Sequence, residues 1–422
     1  MDSSKREPPH AMTGMTTVFQ LNLRHLRGLL AVQKHGSISA AAAAVNLSQP
    51  ALTQGILKLE NQLGEVLLER RSDGIVPTSA GELVLQRAQA SLRHLAAGGR
   101  LLAGAGFDAD RRLTMTQVRA FLSLFRTGSF ATAAIELALS QAAVHRAVRE
   151  LEEALGRKLV ERRGRGVHVN FGGQRFARSC RLAIQELQAA MSELGLDPQN
   201  PTVAIGTTPM ARAFLVPEAM SRMVAEKFPV RFRVLEGSWG ELVESLRDGL
   251  VDFIVGELPA ENVPDLVTTA LHAEAPIIVA GRQHALNGQP SPSRETLAAC
   301  SWIIAPDTSP LRAQWERLFP DKWRPEAPVE CESVMIISRL LTGSDMLTLA
   351  MRDQVALQIR SGLLTQIGEP LSENMSTVGV TMRQGWRPAR AQERFLQLLR
   401  AASASLVADA GHASATEAAW RI

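Results

Sequence analysis

The sequence predicts a multidomain protein: two all-α-rich winged helix-turn-helix domains, each followed by a linker helix, and then an α/β domain of two lobes. Three observations predict it. One stretch of chain occurs twice at a constant offset, an apolar seam of helical period follows each copy, and from residue 202 short β-prone runs alternate with amphipathic segments. Two copies make a duplicated module, since a solenoid needs about three or more repeats.

Residues 36–64 read GSISAAAAAVNLSQPALTQGILKLENQLG and residues 128–156 read GSFATAAIELALSQAAVHRAVRELEEALG, offset by 92 with no gap. Gly36/Gly128, Ser37/Ser129, Ala41/Ala133, Leu47/Leu139, Gln49/Gln141, Leu59/Leu151 and Gly64/Gly156 fall in register, and the match runs on through Glu69-Arg70-Arg71 and Glu161-Arg162-Arg163 to Gly81 and Gly173.

Each copy reads physically as helix, turn, helix, hairpin. Ser37 and Ser129 are placed to N-cap a short helix with a small buried side, Ala41, Ala44 and Val45 or Ala133, Leu137 and Ala138. Ser48 and Ser140 cap the next helix, and Pro50 sits in its first turn, where a missing N–H costs nothing. The inner stripe of that helix is Leu52, Ile56, Leu59 and Leu63, or Val144, Val148, Leu151 and Leu155, at i, i+4, i+7, i+11. Its outer face carries Gln49, Thr53, Gln54 and Lys58, or Gln141, His145, Arg146 and Arg149. Amide, hydroxyl and guanidinium groups there suit base edges and phosphates in a major groove. Gly55 inside the first such helix is expected to cost about 1 kcal/mol relative to Ala. Arg70-Arg71-Ser72-Asp73-Gly74 and Arg162-Arg163-Gly164-Arg165-Gly166 then read as the turns of hairpin wings, with arginines facing the phosphate backbone. On these residues Gln49, Pro50, Thr53, Gln54, Lys58, Arg70 and Arg71, and Gln141, His145, Arg146, Arg149, Arg162, Arg163 and Arg165, are the candidate DNA contacts.

The pattern G-S-x-x-x-A-A-x-x-L-x-x-S-Q-x-A-[LV], then L-E-x-x-L-G, then L-x-E-R-R, resembles the winged helix-turn-helix of LysR-type transcriptional regulators. The resemblance covers most of residues 20–400. A typical member has one such module and this chain has two. The resemblance implies a DNA-binding regulator that forms homodimers or tetramers, with RNA polymerase as a further candidate partner.

Composition fits that reading. With 422 residues, 45% hydrophobic and 21% charged, the chain has material for two or three cored domains. No apolar run reaches the ~20 residues of a membrane span, and the first twenty residues lack an apolar signal core, so a cytoplasmic location is expected. Three cysteines, Cys180, Cys300 and Cys331, lack metal-ligand spacing and read as reduced thiols. Residues 1–195 hold 25 Lys+Arg against 16 Asp+Glu, net +9, while the rest hold 21 against 26, net −5. A basic front and an acidic rear favour a polyanion partner for the front alone.

The domains follow: a disordered tail over 1–20, copy one over 21–81, linker helix one over 82–106, copy two over 113–173, linker helix two over 174–195, the two-lobed domain over 202–402 and a tail over 403–422. Leu85, Ala88, Leu92, Leu95 and Leu102 recur at seam spacing, as do Phe176, Cys180, Ala183, Leu187, Ala190 and Leu194. Gly98-Gly99 and Gly104-Ala105-Gly106 read as a hinge at the end of the first helix, and residues 197–201 as a domain linker. Two geometries are open. The modules pair with each other through residues 82–102 and 175–195, imitating a dimer within one chain, or copy one serves protein interaction or dimerisation.

In the rear half the strand candidates are 203–206, 231–235, 252–255, 277–280, 302–305, 346–349 and 378–382, with helices at 217–227, 240–248, 311–319, 333–341 and 392–401. This alternation predicts mainly parallel sheets. The opening V-A-I-G-T-T-P and the G-x-V-D-F-I-V-G at 249–256 look like the family's effector-binding domain, a fold similar to type-2 periplasmic binding proteins with a ligand cleft between lobes. Ligands of such sheets lie beyond the carboxyl ends of strands, at helix N-termini. Thr207, Thr208, Thr308 and Ser309 are therefore the candidate contacts for a small, anionic effector, with Glu257 on the rim. Ordinary capping is the competing role for each hydroxyl. An acidic Asp345, in the Thr342-Gly343-Ser344-Asp345 run where the family has a glycine-rich stretch, weighs against a generic anion preference.

No catalytic, metal or cofactor motif emerges: there is no P-loop, GxSxG, HExxH or Cys/His cluster, so the chain does not read as an enzyme. The function these residues point to is a sequence-specific DNA-binding transcription regulator responding to a small molecule. The alternative is an effector-independent, architectural DNA-binding protein in which one copy serves dimerisation.

Overall fold

The computed structural model describes residues 17–72, 74–163, 166–196, 201–320 and 323–419, and the chain divides into two compact units, residues 1–200 and 201–422. Asp73, Gly164 and Arg165 of the wing turns, the linker positions 197–200 and the tail positions 1–16 and 420–422 lie outside the described residues.

In the first unit each repeat copy forms three helices and a wing. Copy one is α1 (Leu23–His35), α2 (Ile38–Ala44), α3 (Gln49–Leu63), β1 (Leu68–Arg71) and β2 (Gly74–Pro77), followed by α4 (Ser79–Ala103). A one-turn helix, α5 (Ala109–Arg112), leads into copy two: α6 (Met115–Thr127), α7 (Phe130–Leu137), α8 (Gln141–Leu155), β3 (Val160–Arg163), β4 (Gly166–Val169) and α9 (Phe171–Glu193). Both wings are antiparallel hairpins, with Leu68 opposite Pro77 and Val160 opposite Val169.

The caps fall where the sequence places them. Ser37 and Ser129 accept from the N–H of Ala40 and Thr132 at 3.2 and 3.4 Å. Ser48 and Ser140 accept from Ala51 and Ala143 at 3.3 and 3.1 Å. Gly64 and Gly156 end α3 and α8 in the left-handed conformation, which explains their place in the repeat. The inner stripes of α3 and α8 are buried as expected. The small faces of α2 and α7 are shifted: Ala42 and Ala134 are buried where Ala44 and Ala138 were expected, because each short helix ends before that turn completes.

Two expectations for this unit are overturned. Residues 17–20, expected in a disordered tail, are ordered: Val18–Gln20 forms a 3-10 turn, Val18 and Leu21 are buried, and Gln62 donates to the Gln20 carbonyl at 3.0 Å. This turn packs on α6 and α9, so the start of copy one braces copy two. The hinge at Gly98-Gly99 is absent, since α4 runs unbroken to Ala103. A Cβ on Gly98 would lie 2.5 Å from Ser179 Cβ, and one on Gly99 would lie 2.1 Å from the Phe107 ring. These glycines admit close neighbours. Gly55 has the same role, because an added Cβ would sit 2.9 Å from the His25 ring.

The two long helices pair with each other. Arg87 of α4 meets Glu186 and Glu193 of α9, Gly98 meets Phe176 and Ser179, and Leu102 lies against Gly172, so α4 and α9 run antiparallel. One continuous core joins both copies, with Leu26 and Leu29 of α1, Leu85, Ala88 and Leu95 of α4, Phe107, Phe121 of α6, and Phe176, Cys180, Ala183 and Leu187 of α9. The pairing of the two copies through residues 82–102 and 175–195, one of the geometries open in the sequence, is present within this chain.

The second unit consists of β5 (Thr202–Thr207), α10 (Leu215–Ala225), β6 (Arg231–Glu236), α11 (Trp239–Arg247), β7 (Phe253–Glu257), β8 (Leu266–Glu274), β9 (Pro276–Gly281), α12 (Arg294–Ala298), β10 (Trp302–Ile304), α13 (Pro310–Leu318), β11 (Val329–Glu330), α14 (Val334–Leu341), β12 (Leu347–Met351), α15 (Arg352–Arg360), β13 (Leu364–Ile367), β14 (Ser376–Arg383) and α16 (Arg390–Ala419). One lobe has the sheet order β6-β5-β7-β14-β8 and the other β11-β10-β12-β9-β13. The chain crosses from the first lobe to the second after β8 and returns before β14.

The sheets are not mainly parallel. Pairs β5–β6, β5–β7, β10–β11 and β10–β12 are parallel, whereas β9 and β14 are antiparallel to both their neighbours. Each strand that follows a lobe crossing enters its sheet reversed. The tail expected over 403–422 is helical instead, since α16 continues to Ala419, with Ser403 buried and bonded to His272 Nδ1 at 2.8 Å.

Candidate nucleic-acid interface and effector cleft

The outer faces of α3 and α8 are free. Gln49, Pro50, Thr53, Gln54 and Lys58 are all exposed, as are Gln141, His145, Arg146 and Arg149, while the stripes on the opposite side are buried. In the wings Arg70 and Arg71 are exposed, and Arg162 and Arg163 lie on β3. His145 stacks on Phe130 with ring centroids 3.6 Å apart, which fixes an exposed imidazole on the outer face. Thr53 donates its hydroxyl to the Gln49 carbonyl at 3.0 Å and keeps its acceptor capacity outward.

The cations differ in how committed they are. Arg149 pairs with Glu153 at 3.0 Å, Arg71 pairs with Glu69, and Lys158 pairs with Glu152 at 2.7 Å. Arg157 donates to the Leu102 carbonyl at 3.3 Å, so it ties copy two to the end of α4. Arg146 and Arg70 have no such partner among the described residues. Exposed ion pairs are worth little, so Arg149 and Arg71 can re-pair with phosphate at small cost.

The device that sets each wing against its helix was not apparent from the sequence alone. Glu60, buried on α3, accepts from the N–H of Leu67 and Leu68 at 2.9 and 3.3 Å. Glu152 on α8 accepts from Leu159 and Val160 at 2.9 and 3.2 Å. A Cβ on Gly81 or Gly173 would lie 2.0 or 2.4 Å from the carbonyl oxygen of Leu67 or Leu159, which closes the same joint from the other side. The signal was present in the repeated L-E-x-x-L-G and in the glycines at the end of the match.

In the second unit Thr207 and Thr208 are buried at the carboxyl end of β5. Thr207 Oγ1 donates to the Thr208 carbonyl at 3.3 Å, and Thr208 Oγ1 has no partner among the described residues. Ser309 is buried at the N-terminus of α13 but its hydroxyl caps nothing, and Thr308 beside it is exposed. Ordinary capping therefore does not use up the Ser309 hydroxyl. Glu257 Oε1 accepts from Ser376 Oγ at 2.9 Å, and Gln314 of α13 donates to the same hydroxyl at 3.2 Å, linking the lobes. Burial raises the Glu257 pKa, offset in part by the Ser376 hydrogen bond.

Arg212, on the loop after β5, was not singled out in the sequence. Its guanidinium reaches Glu236 Oε2 at 3.1 Å and the Glu332 carbonyl of the other lobe at 3.3 Å, so a cation spans the cleft. Beside it Ala305, Leu311, Glu332, Thr348 and Gln354 line a small recess with a cavity volume of about 20 Å³. Gln354 also donates to the Pro209 carbonyl at 3.3 Å. Asp345 is exposed in the turn before β12, at the opposite end of that strand from the cleft, so it does not weigh against an anion there.

Among the described residues no group of three or more His, Cys, Asp or Glu side chains is placed to hold a metal, and no helix is long and apolar enough to cross a membrane. All three cysteines are free, and burial pushes the Cys180 and Cys300 thiols up.

Comparison with known proteins agrees with this arrangement. The family model described as "LysR substrate binding domain" matches residues 197–404, and "Bacterial regulatory helix-turn-helix protein, lysR family" matches twice, at 23–82 and 115–174. The HTH-type transcriptional regulator GalR of Pseudomonas putida is 29% identical over 384 residues, covering 90% of this chain and 96% of GalR. That span is too long to omit either copy. The HTH-type transcriptional regulator PcaQ of Agrobacterium fabrum is 26% identical over 302 residues, 70% of this chain and 97% of its own length. Among solved structures, ArgP from Mycobacterium tuberculosis (17% identity, TM-score 0.53, 68% of this chain and 96% of that one) shares the fold. So does full-length LysG from Corynebacterium glutamicum with bound effector arginine (18%, TM-score 0.50, 68% and 97%).

Proposed function

We propose, for a chain that belongs to the LysR family of DNA-binding transcription regulators, that both recognition helices contact double-stranded DNA and that the cleft takes a small carboxylate effector. One observation carries the DNA part: α4 and α9 do the pairing, which leaves the polar faces of both α3 and α8 exposed together. The lysR-family matches to both copies and to the substrate-binding domain do not favour the effector-independent, architectural alternative. The base-edge readers are Gln49, Thr53 and Gln54 in one head and Gln141, His145 and Arg146 in the other, with Lys58, Arg70, Arg71, Arg149, Arg162, Arg163 and Arg165 serving phosphates.

For the effector, Arg212 supplies the charge, Thr207 and Thr208 at the end of β5 supply hydroxyls from one lobe, and Thr308 and Ser309 at the α13 N-terminus supply them from the other. Glu257 borders the site and orients Ser376. Binding changes transcription by favouring one arrangement of the lobes, which requires different affinity for the two states. The protein works in the cytoplasm, as homo-oligomers, with RNA polymerase as a downstream partner.

The test is a thermal-shift screen of the full chain against small carboxylates and their amides. A ligand at about a hundred times its Kd stabilises the folded state by about 2.7 kcal/mol. A carboxylate should raise the melting temperature, its amide should not, and Arg212→Met should remove the difference. Equal shifts with acid and amide would refute the anionic effector.

A further inference from the structure

The offset of 92 makes α4 and α9 equivalent surfaces, so their antiparallel contact has the form of a two-fold interface between two copies of one helix. Each contact at one end then has an equivalent at the other. Gly98 against Ser179 corresponds to Arg87 against Ala190. The two ends differ in chemistry. Arg87, its side chain only 7% exposed, donates to Glu186 at 3.0 Å and Glu193 at 2.5 Å, the carboxylates that flank Ala190. At the other end, Ser179 and Gly98 are simply in close contact.

That difference discriminates among partners. In a like pairing of α4 with a second α4, the positions equivalent to Glu186 and Glu193 are His94 and Leu101, and Arg87 would be buried with no carboxylate facing it. In a pairing of α9 with a second α9, Glu186 and Glu193 would face Ser179 in place of an arginine. Each like pairing buries an uncompensated charge, which is strongly unfavourable, and only the unlike pairing satisfies both sides. Three further features hold the unlike pair within one chain. Phe107 of the connecting segment packs on Gly99, Arg157 of copy two bonds the Leu102 carbonyl, and the turn at Val18–Gln20 of copy one packs on α6 and α9.

We propose that α4 and α9 form an obligate unlike pair, making the two heads one asymmetric, covalently joined dimer whose DNA partner is a composite operator of two different half-sites. The faces differ accordingly: Gln49, Thr53, Gln54 and Lys58 read one half-site, and Gln141, His145, Arg146 and Arg149 read the other. A family member with one head per chain meets the two-fold symmetry of a palindrome with two identical heads. This chain presents two unlike heads, so a palindrome of either half-site leaves one head on the wrong sequence.

The inference rests on the DNA-binding reading above, and the experiment separates the two. Footprinting of the full chain on DNA flanking its own gene identifies the protected site, and wild-type protein is then titrated against the composite site and against palindromes of each half. Both palindromes should bind at least about tenfold more weakly than the composite. Gln54→Ala with Lys58→Ala should release one half-site, and Arg146→Ala the other. Arg87→Glu should weaken composite binding, and adding Glu186→Arg and Glu193→Arg should restore it. Protection of no fragment would overturn the DNA-binding reading itself. Tight binding to either palindrome, or release of the same half-site by both head variants, would overturn the unlike pair.

Discussion

The backbone N–H of Asp353, at the start of α15, donates to Glu274 Oε1 at 3.0 Å, joining two carboxyl-bearing residues at the crossing from β8 to β9. Asp353 Oδ1 and Glu274 Oε2 are both buried and have no partner among the described residues. Burial, then the neighbouring Glu274 charge, pushes the Asp353 pKa up to about 8, against the opposing pull of the Leu215 N–H. Burial raises the Glu274 pKa as well, opposed by the N–H groups of Asp353 and Arg352.

That pair gives a pH dependence of definite sign. The folded state holds the Asp353 proton up to about pH 8, whereas the unfolded chain releases it near the ordinary aspartate value of 3.8. The folded state therefore binds more protons between those values, and stability falls as pH rises through the window, by at most about 1.4 kcal/mol per pH unit. Asp353→Asn mimics the protonated form and should flatten this slope, leaving the variant more stable than wild type at pH 8. Urea titrations at pH 5 to 8 measure it. Parallel slopes in both proteins would refute the assignment.

Gly55→Ala opposes two effects. Helix propensity favours Ala by about 1 kcal/mol, but the new methyl would sit 2.9 Å from the His25 ring, and overpacking typically costs about 1–3 kcal/mol. His25 stands on α1, partly buried and with its Nδ1 covered, so its ring must shift for the methyl to fit. Net destabilisation is expected in thermal melts. A gain in melting temperature would mean that the ring swings away freely.

Glu152→Ala should cost about 1–3 kcal/mol, because it leaves the Leu159 and Val160 N–H groups without their acceptor. Glu60→Ala should do the same in copy one. Amide exchange at the start of each wing strand should speed up in the altered copy and stay slow in the other. Unchanged protection in both would show that the buried glutamate does not hold the wing.

Arg146→Ala should lower DNA affinity and reduce the salt slope by about one unit if its guanidinium neutralises one phosphate, or relax specificity at one base if it reads an edge. Arg149→Ala should do less, because Arg149 must first give up Glu153. Titrations at several salt concentrations distinguish the two, and equal effects would show that the ion pair has no influence on binding.

Much was legible in the chain itself. The caps at Ser37, Ser48, Ser129 and Ser140 and the stripes of α3 and α8 are local patterns with fixed period, so periodicity finds them. The seven strand positions read in the rear half all carry strands. The strand at Leu266–Glu274 was missed because it lies at a sheet edge with most side chains toward solvent and shows no clear alternation. Strand direction was misjudged because a reversal after a lobe crossing leaves no mark on the strand's own residues.

The glycines divide along the same line. Gly64 and Gly156 were readable as helix stops, since their role depends on their own backbone. Gly55, Gly98 and Gly99 were not, since each answers to a side chain brought near by folding: His25, Ser179 and Phe107. Sequence by itself determined the two heads, their exposed polar faces and the two-lobed rear domain, because repeat register, capping chemistry and apolar period act over a few turns of chain. Tertiary structure alone decided that α4 takes α9 as its partner and that Arg212 spans the cleft. Those depend on which buried charges meet across about a hundred residues, and complementarity at that distance exists only once the chain has folded.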